Sequence, residues 1–365
     1  MNQPNDWWDD VDKVHICRDN AKSMAFLSGI ESPNITVIDK STRGQAWEGK
    51  QRGVGWARKL SMDAASQKGA DTDMIITIDA DTFYPPDYFQ SVVDVFNSHP
   101  HILAHSNPYY HPLTGKDEED MAILRYELYM RLYAINMLLI DNPYAFSAIG
   151  SGMACNIKQY KRLGGMTPKH SGEDFYFIQK MCKSGPISNY NAIKIYPQAR
   201  FSDRVNFGTG PAMIKGDSGD WSSYPFYRKV LFQEVAETFE AFHVLFEKEV
   251  MTPMTDFLKK QLKREDIWGP LRKNFKQKHL FVNACVQLVD GLRILQYLKE
   301  SHAKITEGEE SDFMDSMSDV IDYFPEMPLG FTKEDIQEQP LSFRKMKLFR
   351  DALTQIEYKL RARKA

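Results

Sequence analysis

Two pairs of carboxylates have spacings that could do chemistry. In Met74-Ile75-Ile76-Thr77-Ile78-Asp79-Ala80-Asp81-Thr82 a β-branched apolar run ends in two aspartates one residue apart. The run is short and rich in Ile, so it reads as a strand covered on both faces, and the carboxyl end of such a strand is where α/β sheets bind ligands. Alternate residues of an extended chain point the same way. Asp79 and Asp81 are thus expected to present two carboxylates to one spot, where they repel each other unless a cation or donor lies between them. A hard divalent cation bridging phosphate oxygens suits that arrangement. The plainer alternative is a turn cap, with Pro85 and Pro86 as punctuation. The second pair, Glu173-Asp174, follows Gly172 and falls in the first turn of a helix running through Phe177 and Met181. Acidic side chains are favoured there by the helix dipole, so by itself this pair reads as an N-terminal cap.

The elements that must position these residues follow from periodicity. Residues 12–27 and 54–68 carry helical patterns, the second stopped by Gly69, and 35–38 reads as a short strand. Residues 87–97 form another helix, 102–105 another strand, and 118–140 a long helix rich in Met, Leu and Tyr that covers the sheet. Residues 146–154 read as a small-residue strand in which Gly150 and Gly152 let another group approach the backbone. This alternation predicts an α/β fold with a mostly parallel sheet.

Beyond residue 220 the pattern turns helical. Phe232, Val235, Phe239, Phe242 and Phe246 recur at helical spacing as a core stripe, 281–298 is a further apolar helix, and 307–312 is an acidic, solvated loop. The last helix sets Met346, Phe349, Leu353, Ile356 and Leu360 against Lys345, Lys347, Arg350, Lys359, Arg361 and Arg363. It either packs on the protein with a basic outer face or lies peripherally on the anionic inner face of a membrane. The expected organisation is a domain over 1–220 and an α-helical region over 221–365. With 365 residues and 42% hydrophobic side chains the chain can build a sizeable core, and a net charge of -3 argues against nucleic acid as a partner. The 4 cysteines, Cys17, Cys155, Cys182 and Cys285, lack metal or disulfide spacing, which suits a reducing compartment. With no apolar run of bilayer length and no signal-peptide core, the expected address is the cytoplasm.

Several segments taken together carry a resemblance. The helix start Gly53-Val54-Gly55-Trp56-Ala57-Arg58, then Asp79-Ala80-Asp81, Gly150-Ser151-Gly152, Leu163-Gly164-Gly165-Met166 and Gly172-Glu173-Asp174 have the order and approximate spacing of family 2 glycosyltransferases. The chain resembles that family over roughly residues 6–215. The resemblance implies a GT-A-like (Rossmann-like) sheet flanked by helices, followed here by an α-helical extension. It implies transfer of a sugar, with inversion, from a nucleotide-diphosphate sugar to a hydroxyl of a glycan, lipid-linked or small-molecule acceptor. Asp79 would meet the ribose and the metal, Asp81 would be the metal ligand for Mn²⁺ or Mg²⁺, Asp174 the general base, and Glu173 a residue that orients the site. Arg58 falls on the donor side with Asp79, and Arg200 and Arg204 would close over the diphosphate, although Arg204 could equally pair with Asp203 or Asp217. Gly208, Gly210, Gly216 and Gly219 are expected to give a mobile lid. His170 is either an acceptor contact or a plain loop residue, and the helical extension shapes the acceptor site or a contact within an oligomer.

One departure is expected to matter. Family members begin with a strand, a helix and a second strand that build the nucleoside half of the sheet, whereas here Asn5-Asp6-Trp7-Trp8 looks like the loop leaving that second strand. The expectation is a sheet with an uncovered edge, and a base pocket built otherwise or supplied by another chain. Two classes compete with the transferase reading: a catalytically inactive binding protein of the same fold, and a nucleotidyltransferase.

Overall fold

In a computed structural model, residues 1–202, 208–324, 330–331, 333–337 and 341–364 are described. Sustained apolar periodicity becomes helix: α1 Val14–Ser28, α2 Val54–Lys68, α3 Tyr88–Ser98, α4 Asp117–Leu139, α5 Ile157–Arg162, α6 Glu173–Cys182 and α7 Thr209–Asp217. The strands between them are short: β1 Met74–Ile76, β2 Thr82–Phe83, β3 Ala104–Ser106, β4 Met153–Asn156, β5 Ile187–Ser188 and β6 Tyr196–Pro197. The remaining helices are α8 Lys229–Leu245, α9 Thr255–Leu262, α10 Gly269–Asn274, α11 Lys278–Leu288, α12 Gly291–Ile305, α13 Glu309–Tyr323, α14 Lys333–Gln337 and α15 Phe343–Lys364.

The main sheet has the order β1-β4-β3-β5, and β2 pairs with β6 in a separate ribbon. The sheet is mixed rather than mostly parallel: β4 runs antiparallel to both β1 and β3, and only β3 and β5 are parallel. After β3 the chain travels along α4 and re-enters beside the end it left, where the Asn107 amide donates to Gly152 O at 2.8 Å, so β4 must run backwards. The strand expected over 146–154 is confined to β4, because Gly150–Gly152 winds into a 3-10 turn. The strand expected over 35–38 does not form. Ile35 N turns back to Ser32 O at 3.2 Å, the Met1 amine reaches Ile38 O at 3.2 Å, the nearest β-bridge lies beyond the segment between Lys40 and Asn2, and Ile35 and Val37 stay exposed. β1 is an edge strand of the main sheet, and the exposed Ile78 follows it.

Helix α4 is apolar around most of its girth and is accordingly buried along most of its length. Helix α15 runs along it and buries Met346, Phe349, Leu353, Ile356 and Leu360, so the apolar stripe of the last helix is inside the protein. Two of the expected outer arginines also point inward. Arg350 donates to His111 O at 3.1 Å and to Glu127 Oε2 at 3.3 Å, while Arg361 bonds Glu357 Oε1 at 2.9 and 2.6 Å. Arg131 links the two helices, reaching Glu127 Oε1 at 3.0 Å and Glu357 Oε2 at 2.7 Å. Burial alone would raise the Glu127 carboxyl, but Arg131, His111 and Arg350 outweigh it and hold it at about 2.

One hydrophobic cluster runs from Met62 on α2 through α4 to Leu360, so the C-terminal helices share their core with the sheet. Phe232, Val235 and Phe242 fill it as the stripe predicted. The single helix expected over 281–298 is broken at Val289-Asp290, because the Asp290 side chain accepts from Arg293 N and caps α12. The acidic 307–312 segment is not simply solvated: Glu309 pairs with Arg125, and Asp312 is buried. Among the described residues no helix is long and apolar enough to cross a membrane, and all four cysteines are free.

Candidate active site

The two acidic motifs meet through one arginine. Arg58 lies one turn into α2, and its guanidinium is almost fully buried. Its Nε donates to Glu173 Oε1 at 3.2 Å, its Nη2 to Asp79 Oδ1 and Oδ2 at 3.1 and 3.3 Å, and its Nη1 to Gly150 O at 2.5 Å. Glycine makes this convergence possible. A Cβ on Gly150 would sit 2.6 Å from Arg58 Nη2, and one on Gly55 would sit 2.1 Å from the Lys169 carbonyl oxygen, where the loop leading to α6 crosses α2. That loop ends at Gly172, whose φ of 69° is a left-handed turn into the helix that side chains with a Cβ rarely adopt.

Glu173 is buried and Asp174 half-buried at the start of α6. Burial raises both carboxyl pKa values. The Asp174 charge adds to the effect on Glu173, Asp79 adds to it on Asp174, and Arg58 opposes both without cancelling them. The reciprocal holds for Arg58: burial would lower it, but Asp79, Glu173 and Asp174 keep it firmly charged. Asp174 Oδ1 accepts from the Phe175 amide at 2.7 Å. These carboxyls hold protons more tightly than ordinary ones, which is what a general base near neutrality requires.

Asp79 and Asp81 do not lie on an extended chain as the alternation implied. Thr82 N donates to Asp79 O at 3.2 Å, closing a turn that sends Asp79 toward Arg58 and Asp81 toward Arg200, with which it forms an ion pair. What pins this turn is carried by residues that no sequence pattern singles out. Tyr84 Oη accepts from Asp79 N at 2.9 Å and donates to Ser151 O at 2.9 Å, and Thr77 Oγ1 donates to Gly150 O at 2.6 Å. Arg200 is flanked by Ala199 and Phe201, which pack on Ala122, Ile123 and Tyr126 of α4 and on Ala212 and Met213 of α7. Of the glycines expected to give a lid, Gly210 and Gly216 lie within α7, which packs on α4 by apolar contact. Arg204 lies outside the described residues. His170 is exposed beside Gly53, away from the Arg58 cluster's hydrogen bonds.

A divalent cation fits Asp81 better than Asp79. No group of three His, Cys, Asp or Glu that could hold a metal occurs among the described residues, so any ion must draw on water and ligand oxygens. Mg²⁺ characteristically takes one or two carboxylates plus phosphate oxygens. Asp81 and Arg200 are both part-exposed, and an exposed ion pair of this kind separates at little cost. Asp79, by contrast, is engaged by a buried guanidinium. No curated protein and no solved structure matches the chain. Residues 32–154, which hold Arg58, Asp79, Asp81 and the Gly150–Gly152 turn, match the model of Glycosyl transferase family 2, which supports a family 2 glycosyltransferase domain over that segment.

Proposed function

We propose that the chain moves a sugar from a nucleotide-diphosphate sugar to an acceptor hydroxyl by a single displacement that inverts the anomeric carbon. The observation that carries this reading is the Arg58 guanidinium, which ties Asp79 to the Glu173-Asp174 pair. Asp174 takes the acceptor's proton as its oxygen bonds the anomeric carbon, and the electron pair of the breaking bond leaves with the diphosphate. Glu173, fixed by Arg58, keeps the start of α6 in register with Asp79. Asp79 meets the ribose, and Arg200 leaves Asp81 to lay its planar fork on the diphosphate oxygens. A divalent cation, Mn²⁺ or Mg²⁺, held by Asp81 would supply further stabilisation of the charge growing on the diphosphate. Residues 1–220 form the catalytic unit in this reading, and the helices of 221–365 hold it from behind.

The assignment of Asp81 is tested by Asp81→Ala. Nucleoside-diphosphate affinity should fall at least about tenfold in Mn²⁺ and become insensitive to chelator, the loss of one charge-assisted ligand contact. Affinity that still depends on the metal to the same degree would place the ion on other ligands.

A further inference from the structure

The ribbon beside the two aspartates carries a feature that phosphate chemistry does not use. Its register pairs Thr82 with Pro197 and Phe83 with Tyr196, and the Gln198 amide extends the ladder by donating to Asp81 O at 2.9 Å. In an antiparallel pair, alternate residues and their cross-strand partners share a face. Phe83 and Tyr196 therefore lie on one face, and the ladder continues through Asp81 and Gln198 to the Asp81–Arg200 ion pair. Phe83 is 64% exposed, and its ring lies 6.0 Å from that of Tyr196. A lone exposed phenylalanine needs no explanation, but this one belongs to a braced pair. Tyr110 meets Tyr196 edge-on at 6.3 Å, the Arg350 guanidinium of α15 lies 4.2 Å over Tyr110, and Tyr110 Oη donates to Asp351 Oδ1 at 2.8 Å. The C-terminal helix thus stiffens a small aromatic surface on the ribbon that continues from Asp81.

What such a surface takes is set by its neighbours. A purely apolar partner would strip water from Asp81, Gln198 and Arg200 without replacing their hydrogen bonds, a costly exchange. A nucleobase needs several in-plane donors and acceptors along its edge, and among the described residues the ribbon's ladder places one amide side chain here, Gln198. A pyranose has both requirements built in: its axial C–H face stacks on aromatic carbon, and its equatorial hydroxyls point outward to carboxylate, amide and guanidinium groups. We infer that Phe83 and Tyr196 form a platform for a pyranose ring of the acceptor, so that the acceptor is a saccharide. The assignment to the acceptor rests on the sugar-transfer reading above; the platform itself does not.

Saturation-transfer NMR tests it on the full chain, with a panel of methyl α- and β-pyranosides of glucose, galactose, mannose and N-acetylglucosamine. At least one pyranoside should receive saturation at its ring C–H protons. Affinity should drop roughly three- to tenfold in Phe83→Ala, the scale of one lost aromatic stacking contact, and return in Phe83→Trp. Calorimetric affinity for nucleoside diphosphates should be the same in all three proteins. No pyranoside bound by the unmodified chain, equal binding by Phe83→Ala, or nucleotide affinity that falls with Phe83 would each overturn the platform. Phe83-dependent pyranoside binding in a chain that binds no nucleoside diphosphate would uphold the platform and sink the sugar-transfer reading instead.

Discussion

Asp174→Asn is expected to lower sugar transfer by about 10²–10⁴-fold, the usual worth of a positioned general base, while donor affinity stays within about twofold. Asparagine keeps the shape of the side chain and can still accept from the Phe175 amide, but it cannot take a proton. The pH profile carries the second half of this prediction. Burial raises Asp174 and Glu173, so the base stays protonated above the ordinary carboxylate range, and kcat should rise with pH through a limb lying above that range. The two groups interact, so the limb belongs to the pair and not to one residue. Lost donor binding with unchanged residual turnover would remove Asp174 from the base role.

Arg58→Met should destabilise the fold by about 3–5 kcal/mol, because it strands buried Glu173 and deprives Asp79 of its partner. The loss should depend on pH with a definite sign. Arg58 lowers both Glu173 and Asp174, so without it their folded-state pKa values rise further above the unfolded ones. A carboxyl raised in the folded state contributes stability that is intact below its unfolded value and is lost as pH rises through the folded one. Urea midpoints of the variant should therefore approach those of the unmodified chain near pH 4–5 and fall furthest behind above about pH 7. Adding Glu173→Gln to Arg58→Met should restore part of the stability at neutral pH, since an amide carries no stranded charge. A loss of equal size at every pH would mean that Arg58 contributes packing alone.

These effects centre on residues the sequence made visible one by one but could not join. Helices α2, α3, α4 and α6 were legible because each sustains its periodicity over ten or more residues with recognisable ends. Strands of two to four residues have no such signal, which is why 35–38 reads as a strand though none forms there, and why the small-residue pattern over 146–154 starts well before β4. Sheet direction was illegible for another reason: alternating helix and strand does not say at which end the chain returns, and β4 returns backwards. The break before α12 had a local cue in Asp290, a strong N-cap type followed by Gly291, which the apolar pattern on either side hid. Glu127 and Arg131, four apart inside an apolar helix, likewise announced a buried pair, but their partners Arg350 and Glu357 are distant in sequence. The motif residues Asp79, Asp81, Glu173 and Asp174 were identifiable by type and spacing. That Arg58 ties Asp79 to Glu173, while Asp81 turns to Arg200, depends on a turn closed between Asp79 and Thr82 and on a glycine at 150, and only coordinates reveal such a convergence.

Isothermal titration of the full chain with a panel of nucleoside diphosphates, first with Mn²⁺ or Mg²⁺ and then with chelator, tests the central claim most directly. A donor site built on Asp81, Asp79 and Arg200 predicts binding that requires the metal and prefers one base. A folded chain that binds none of them under either condition would contradict sugar transfer from a nucleotide donor and leave a glycosyltransferase fold used only for binding.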